Sequence, residues 1–120
     1  AAQMLDQTFH ALSNPTRRAV IASLVDGPAT VSQLAAPFDM ALPSFMQHLR
    51  VLEDSGLVSS HKRGRVRTVR IRPAQLRRAA HWLAAQRVIW EQRLDQLDDY
   101  LKTLEQLDET RTRDHRPRRA

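Results

Sequence analysis

With 120 residues, no cysteine and a net charge of +6, the chain has the size of one small domain and cannot form a disulfide, a thiolate metal site or a cysteine nucleophile. No stretch approaches the roughly 20 apolar residues that cross a bilayer, and the first residues lack a signal-peptide pattern, so we expect a soluble, cytoplasmic protein. Residues 61–80 carry eight Lys or Arg and no acid, whereas the rest of the chain sums to −2, which favours a polyanionic partner over a merely solvated basic face.

Three short helices are predicted in the first third of the chain. Apolar residues at helical spacing predict the first over Gln3–Leu12. The second is expected to begin at Pro15, with Asn14 as its N-cap, and to end before the Asp-Gly-Pro sequence at 26–28. A capping box precedes the third, which is predicted over Val31–Ala36.

A fourth helix is predicted over Leu42–Ser55, with Gly56 as its C-terminal stop. Phe45, Leu49 and Leu52 recur at helical spacing and are expected to form its buried face. Two helices joined by a tight turn, as the third and fourth would be, are typical of a helix-turn-helix.

Two strands, Leu57–Lys62 and Arg65–Arg72, are predicted to form a hairpin whose tip is Arg63-Gly64. Arg67 shares the strand parity of Val69, an inward-facing residue, so a straight strand would aim both to the same side. This arrangement indicates a hairpin tip that extends beyond the core and presents its basic side chains to a partner. We call this hairpin the wing.

A long helix is predicted from Ala74 to about Leu107. Its apolar residues step by four, three, four and three positions, which is typical of a helix–helix seam: Trp90, Leu94, Leu97, Leu101 and Leu104. We expect this seam to form a homodimer, the alternative being that it packs on the core of its own chain. Residues 1–108 are therefore predicted as one DNA-binding and dimerisation domain, and 109–120 as a basic, disordered tail.

The fourth helix and the wing carry the candidate DNA contacts. Gln47 can bond adenine in two places, whereas Ser44 and His48 can each contact a base or a phosphate, and Arg50 lies further along the helix toward the backbone. The wing supplies cations for phosphates and the minor groove: Lys62, Arg63, Arg65 and Arg67. Arg17 and Arg18 are further candidates for backbone contacts.

The sequence shows no pattern typical of a catalytic site or of a bound metal. There is no nucleophile–base pair, Gly-rich phosphate loop or carboxylate dyad, and none of the five histidines pairs with another at ligand spacing on a helix. We therefore expect a protein that is not an enzyme and has no cofactor, with an interchain metal site as the remaining alternative.

The segments "LSNPTRRAVIASL", "TVSQLA", "LPSFMQHLRVLEDSGLV" and "RGRVRTVRI" resemble the ArsR/SmtB family of bacterial winged-helix repressors. The long final helix resembles a metal-free branch of that family. The resemblance implies a mainly helical winged helix-turn-helix fold, with a small β-hairpin wing and a C-terminal dimerisation helix. It also implies a symmetric dimer built from the first helix, including Leu5 and Phe9, and the last, together with a palindromic operator and repression released by an inducer. How release occurs stays open: a small molecule, a partner protein, dilution of the dimer and simple autoregulation are the alternatives.

Carried over by position, the family's DNA contacts fall on Leu42, Pro43, Ser44, Met46, Gln47 and Arg65. Three departures from the family pattern affect function, one of which is that the His- and Asp-rich zinc pattern of the final helix is missing. Thr30 and Ser32 stand where thiol-using metal sensors carry a Cys-x-Cys pair, and hydroxyls are poor ligands for soft metals. Ala41 replaces the serine that often caps the recognition helix, so base reading is expected to use thymine methyls through Leu42 or Met46.

Two other functions stay open from the sequence. An uncapped helix with Leu42 at its start also fits a winged-helix module for protein–protein interaction. The basic wing alone fits a protein that binds nucleic acids without sequence preference.

Overall fold

The computed structural model describes residues 2–114. Within this range five helices and three short strands follow one another: α1 (Ala2–Leu12), α2 (Pro15–Ser23), β1 (Ala29–Thr30), α3 (Val31–Ala35), α4 (Leu42–Asp54), β2 (Val58–Arg63), β3 (Val66–Ile71) and α5 (Pro73–Asp114). The predicted order of helices and hairpin is confirmed. The chain divides into two compact units, one up to His81 and the other from Trp82 onwards. The extent of the DNA-binding and dimerisation domain stays a prediction.

Side-chain and backbone caps define the helix ends. Asn14 Oδ1 accepts hydrogen bonds from the backbone N–H groups of Thr16 (2.8 Å) and Arg17 (3.2 Å), which begins α2. The predicted capping box is present, since Gln33 N–H donates to Thr30 Oγ1 (3.1 Å) and Thr30 N–H donates to Gln33 Oε1 (2.9 Å). The helix-turn-helix therefore begins with a reciprocal pair of capping bonds.

The C-terminal end of α4 is a Schellman motif. Leu57 N–H donates to the Leu52 carbonyl and Gly56 N–H donates to the Glu53 carbonyl, both at 3.0 Å. Gly56 has φ +76°, a conformation that L side chains rarely adopt, and an added Cβ would lie 3.3 Å from the Gln75 side chain. The glycine therefore allows the chain to turn from α4 directly into β2.

The core of the first unit is built around the inner face of α4. Phe45, Leu49 and Leu52 are all buried, as predicted, and the Phe45 ring stacks on Phe38 with centroids 5.8 Å apart. Residues from the surrounding elements complete the core: Ala11, Val20, Leu24, Leu34, Leu57, Val58 and Val69. This packing leaves the opposite face of α4 exposed.

The sheet has one strand more than the sequence predicted. The strand order is β1-β3-β2. On one side of β3, Ala29 of β1 pairs with Val69, and on the other side the six residues of β2 pair with the six residues of β3. β1 escaped prediction because two residues are too few to show a period. Arg63 pairs with Val66, so the hairpin tip is Gly64-Arg65 and not Arg63-Gly64; Gly64 has φ +63°, as in a type II′ turn.

The final helix is longer than predicted. α5 continues to Asp114, so the first part of the predicted disordered tail is helical, and the rest of that tail lies outside the described residues. Adding residues to an existing helix gains one backbone hydrogen bond each, and no Gly or Pro interrupts the chain between Ala74 and Asp114. No helix in the described range has the length and apolar character needed to cross a membrane.

Candidate nucleic-acid interface

The outward face of α4 presents a compact set of side chains. Because Phe45 and Leu49 face the core, the residues on the opposite side of α4 and at its start face solvent. Those exposed are Leu42, Pro43, Ser44, Gln47 and Arg50, and Met46 is half-buried. The structure therefore brings together on one surface all of the predicted α4 contacts except His48. We call these six residues the reading face.

Two grooves run along the sides of the reading face. One, of about 340 Å³, lies between Pro43, Gln47, Arg50 and the Arg67 side chain. The other, of about 500 Å³, is lined by Leu42 of α4 and by wing residues that include Lys62 and Arg65. Met46 and Arg67 border both grooves, so α4 and one face of the wing form a continuous surface.

The basic side chains of the wing are available to a partner. Lys62, Arg63 and Arg65 are exposed, and within the described residues none of them forms an ion pair with a carboxylate. Arg63 lies on the opposite face of the hairpin, the face that also carries Arg70. Of the four predicted wing contacts, the structure therefore directs Lys62, Arg65 and Arg67 toward the reading face and places Arg63 away from it.

Arg67 is less exposed than its neighbours in the wing. Its Nη1 donates a hydrogen bond of 2.8 Å to Ser60 Oγ on the adjacent strand, and the side chain is half-buried. This bond holds the guanidinium at the junction of the two grooves. Arg67 is thus pre-positioned, because less side-chain entropy remains to be lost when it meets a ligand.

Arg17 is not available for the DNA backbone, so that prediction is wrong. Its side chain is only 8% exposed, and Nε donates to the Ala11 carbonyl at 2.6 Å and Nη2 to the His10 carbonyl at 3.1 Å. Nη1 lies 3.0 Å from His48 Nδ1. The arginine side chain has only donors, so Nδ1 of His48 can take part in this contact only as the acceptor.

His48 consequently faces α2 and not the reading face. It is half-buried, and its contact with Arg17 ties the middle of α4 to the end of α1. This geometry favours a positioning role for His48 over the base or phosphate contact expected from the sequence. Sequence spacing could not reveal the contact because the two residues lie 31 positions apart.

The predicted dimerisation residues fall into two groups. Leu5 and Phe9 on α1 are half-buried. The seam residues of α5 are between 43% and 61% exposed: Trp90, Leu94, Leu97, Leu101 and Leu104. Rows of large apolar side chains this exposed are typical of protein–protein contact surfaces, and the dimerisation role of these residues stays a prediction.

Comparison with known proteins identifies the fold. Residues 12–61 match the family model described as a helix-turn-helix domain. The crystal structure of an ArsR family transcriptional regulator is 54% identical, with a TM-score of 0.73, over 76% of this chain and 94% of that one. The chain belongs to the ArsR family of winged helix-turn-helix transcriptional regulators.

Two further comparisons with transcriptional regulators agree. The ArsR-like transcriptional regulator from Rhodococcus sp. RHA1 is 29% identical, with a TM-score of 0.67, over 82% of this chain and 93% of that one. Transcriptional repressor SdpR of Bacillus subtilis is 28% identical over 79 residues, which are 66% of this chain and 88% of that repressor. The expectation of a DNA-binding transcriptional regulator rather than an enzyme is thereby confirmed.

The candidate interface also includes residues that the sequence analysis did not assign to DNA binding. Thr30, Val31 and Ser32 line the groove between Leu42 and the wing, so the start of α3 borders the reading face. Thr30 Oγ1 already accepts the capping bond from Gln33, whereas Ser32 is exposed. The sequence could have predicted these residues as candidates, because the first helix of a helix-turn-helix crosses the nucleic-acid backbone.

Proposed function

We propose that the protein is a homodimeric repressor that binds a palindromic operator with the reading face and wing of each subunit. The observation that carries this proposal is the continuity of the two elements: the exposed side chains of α4 and the cations of the wing border the same grooves. In a two-fold symmetric dimer the two reading faces would meet half-sites about 34–36 Å apart, one helical turn of DNA.

Within each half-site, the reading face recognises bases in the major groove. Gln47 is exposed near the start of α4 and offers both an amide donor and an acceptor, which suits adenine. Leu42 and Met46 supply apolar contacts for thymine methyls, and Ser44 contacts a base or a phosphate. Arg50, further along α4, neutralises the backbone.

The wing supplies affinity without sequence preference. Lys62 and Arg65 lie beside the reading face and contact phosphates or the minor groove next to the bases read by α4. Arg67, held by Ser60, joins the two elements at their junction. Arg63 on the opposite face of the hairpin contributes to the positive field but contacts only flanking phosphates.

Two subunits associate through α1 and α5. Leu5 and Phe9 on α1, together with the exposed seam of α5, provide the apolar surface that a permanent dimer needs. A palindromic site then follows from the two-fold symmetry of the protein. The operator lies on cytoplasmic DNA.

Release from DNA does not depend on a thiolate-bound metal. The chain has no cysteine, and the hydroxyls of Thr30 and Ser32 stand where sulfur ligands would be required. In the described range no three His, Asp or Glu side chains are grouped as metal ligands. These facts support an inducer of another kind, either a small molecule or a partner protein.

The test is selection of bound duplexes from a random pool, followed by binding titrations with single variants. We expect a palindromic consensus. Gln47→Ala should relax the preference at one base per half-site by about 1–3 kcal/mol. Arg65→Ala should weaken all duplexes alike and lower the slope of log K against log salt by about 0.9 for each phosphate that Arg65 neutralises.

Arg70→Ala is the matched control, since it removes the same charge from the other face of the hairpin. It should affect affinity much less than Arg65→Ala. A pool that enriches no consensus would instead favour non-specific binding or a protein-interaction module. Equal effects of Arg65→Ala and Arg70→Ala would contradict the assignment of the DNA-facing side.

A further inference from the structure

The two faces of the wing differ in what covers them. Residues that pair directly across two strands point to the same face of a hairpin. One face packs on the core through Val58, Val69 and Ile71. The other face is built from three cross-strand pairs, which are Ser59 with Arg70, His61 with Thr68, and Arg63 with Val66. We call these six residues the outer face.

A groove of about 590 Å³ lies over the outer face. The residues that line it carry guanidinium, imidazole or hydroxyl groups: Ser59, Ser60, His61, Arg63, Thr68 and Arg70. All of them belong to β2 or β3, so the groove is a surface of the hairpin alone. Sites for small molecules are lined mostly by apolar side chains, whereas no apolar residue lines this groove. Its chemistry suits an extended anion better than a small molecule.

The charges of the outer face are not neutralised by nearby residues. No Asp or Glu occurs in the sequence between positions 54 and 91. Arg63 and Arg70 are exposed, and in the described part of the chain neither forms an ion pair or a side-chain hydrogen bond. The side chains of His61 and Thr68 also make no hydrogen bond there. These donors are therefore available together for an external anion.

The two arginines stand at opposite ends of the outer face. Arg63 pairs with Val66, and Arg70 lies four residues further along β3, so about 13 Å separate the two positions at about 3.3 Å per residue. The pair formed by His61 and Thr68 lies between them. Phosphates of one DNA strand rise about 3.4 Å each along the helix axis, so this length covers several consecutive phosphates. Arginine and hydroxyl side chains are also among those that contact phosphates in protein–DNA complexes.

The outer face and the reading face lie on opposite sides of the wing. A duplex read by α4 lies against the side that carries Lys62 and Arg67. To reach the outer face as well, that duplex would have to reverse its direction within a few nanometres, whereas DNA keeps its direction over about 50 nm. Arg63, beside the tip, can still reach phosphates that flank the operator. The rest of the outer face fits a different DNA segment.

We propose that the outer face binds the phosphate backbone of a second DNA segment, so that one protein molecule bridges two duplexes. Arg63 and Arg70 donate paired N–H bonds to phosphate oxygens, and Ser59, His61 and Thr68 donate single bonds between them. The complementary charge of the outer face and of DNA supports this occupant. The inference rests on DNA binding by the other side of the wing, and it goes beyond repression at a single operator.

The test is the capture of a second duplex by full-length protein that is already bound to a first. Protein is loaded on an immobilised duplex, free protein is washed away, and a fluorescent duplex of random sequence is added. Capture is expressed per molecule of protein that stays on the immobilised duplex. We expect capture at low salt and a steep fall as salt is raised. No capture at low salt would overturn the proposal.

Substitutions on the two sides of the wing should separate the two binding events. Arg63→Ala combined with Arg70→Ala should lower capture about tenfold, because two phosphate contacts are lost. Arg70→Ala alone should lower capture but leave the affinity for the immobilised duplex within about twofold. Arg65→Ala should do the reverse, since it weakens binding to the immobilised duplex and leaves capture per bound molecule unchanged.

Arg77→Ala is the matched control for charge. Arg77 is exposed near the start of α5 and lies outside the wing, so its removal lowers the net charge by the same amount without touching the outer face. Capture should stay at the level of the unsubstituted protein. An equal loss for Arg77→Ala and Arg70→Ala would mean that only net charge matters, and it would overturn the assignment to the outer face.

Thr68→Val tests the contact without changing the charge. Valine has a similar shape and an equal preference for strands, so the hairpin is retained while the hydroxyl is lost. We expect capture to fall about threefold. Capture that is unchanged by both Thr68→Val and Arg70→Ala would place the second duplex on another surface and overturn the proposal.

The proposed function fails separately from this inference. A protein that selects a palindromic consensus but captures no second duplex would retain the proposed function and overturn the bridging alone. A protein that enriches no consensus, yet captures a second duplex in a manner that depends on Arg70, would retain the bridging and overturn the operator-specific repressor.

Discussion

The two units use the same apolar spacing with opposite results. In α4, Phe45 and Leu49 are each only 1% exposed, because the other elements of the first unit cover them. In α5, Trp90 and Leu94 recur at the same interval and are 61% and 56% exposed. A helical stripe therefore predicts that a face will be covered, but the spacing alone does not say whether the chain itself or a second molecule covers it.

The largest expected effect comes from breaking the self-contained unit. Phe45→Ala should lower the free energy of unfolding by about 3–5 kcal/mol, since it removes a buried aromatic ring and leaves a cavity beside Phe38. Urea unfolding monitored by circular dichroism checks this. The loss should not depend on protein concentration, because the ring is covered by its own chain; a loss confined to low concentration would place Phe45 in the subunit interface instead.

The corresponding change in the second unit should act on association. Leu97→Ala is expected to raise the dimer dissociation constant about a hundredfold, because two seam side chains lose roughly 1.5 kcal/mol of apolar burial each. Sedimentation equilibrium checks this, with Gln96→Ala on the neighbouring, polar side of α5 as control. If Leu97→Ala left the dimer intact and lowered the stability of residues 2–81, the distinction between the two units would be wrong.

The stability of the first unit also depends on the hydrogen bonds of the buried Arg17 side chain. Arg17→Ala should lower the free energy of unfolding by about 1–3 kcal/mol, because the Ala11 carbonyl and the His48 ring lose the donor that Arg17 supplies, whereas the His10 carbonyl keeps its bonds from Ser13. Urea unfolding at fixed protein concentration measures it.

Arg18→Ala is the control for this change. Arg18 donates from an exposed position to the Leu12 carbonyl at 2.9 Å, so its removal should cost less than about 0.5 kcal/mol. Arg17→Lys should recover only part of the stability, because an ammonium lacks the planar geometry that reaches three acceptors. Equal effects of Arg17→Ala and Arg18→Ala would mean that the hydrogen bonds of Arg17 contribute nothing to stability.

Local patterns predicted much of the first unit from sequence. The capping box at Thr30, the buried stripe of α4 and the glycine stop at Gly56 were predicted correctly, because each depends on residues within one or two turns. The resemblance to the ArsR family added the winged fold and the class of regulator. The exposed side of α4 could also be predicted from the sequence, because the buried stripe determines which residues of the helix face solvent.

Contacts between distant residues were the part that local patterns could not supply. Arg17 has the sequence context of a surface cation, yet three acceptors from α1 and α4 surround it in the fold. β1 pairs with β3 across 40 positions of sequence, from Ala29 to Val69, and its own two residues carry no period. The end of α5 was predicted too early because a polar sequence was expected not to continue a helix.

The smallest expected effect concerns the start of the reading helix. Ala41 has the extended conformation of an N-cap, with φ −64° and ψ 146°, but makes no side-chain capping bond, in contrast to Asn14 at the start of α2. Ala41→Ser should raise the free energy of unfolding by about 0.5–1 kcal/mol. The new hydroxyl can accept a bond from the Ser44 N–H, since Pro43 at the preceding position has none.

This substitution also sharpens the distinction between the two units. The added hydroxyl would stabilise a helix that the chain itself folds, so the melting temperature should rise by a few degrees, roughly 2–4 °C, while the dimer dissociation constant stays the same. Differential scanning calorimetry and sedimentation equilibrium on the same preparation measure the two quantities. A change in the dissociation constant without a change in stability would mean that the start of α4 contributes to the subunit interface, and the first unit would then not be self-contained.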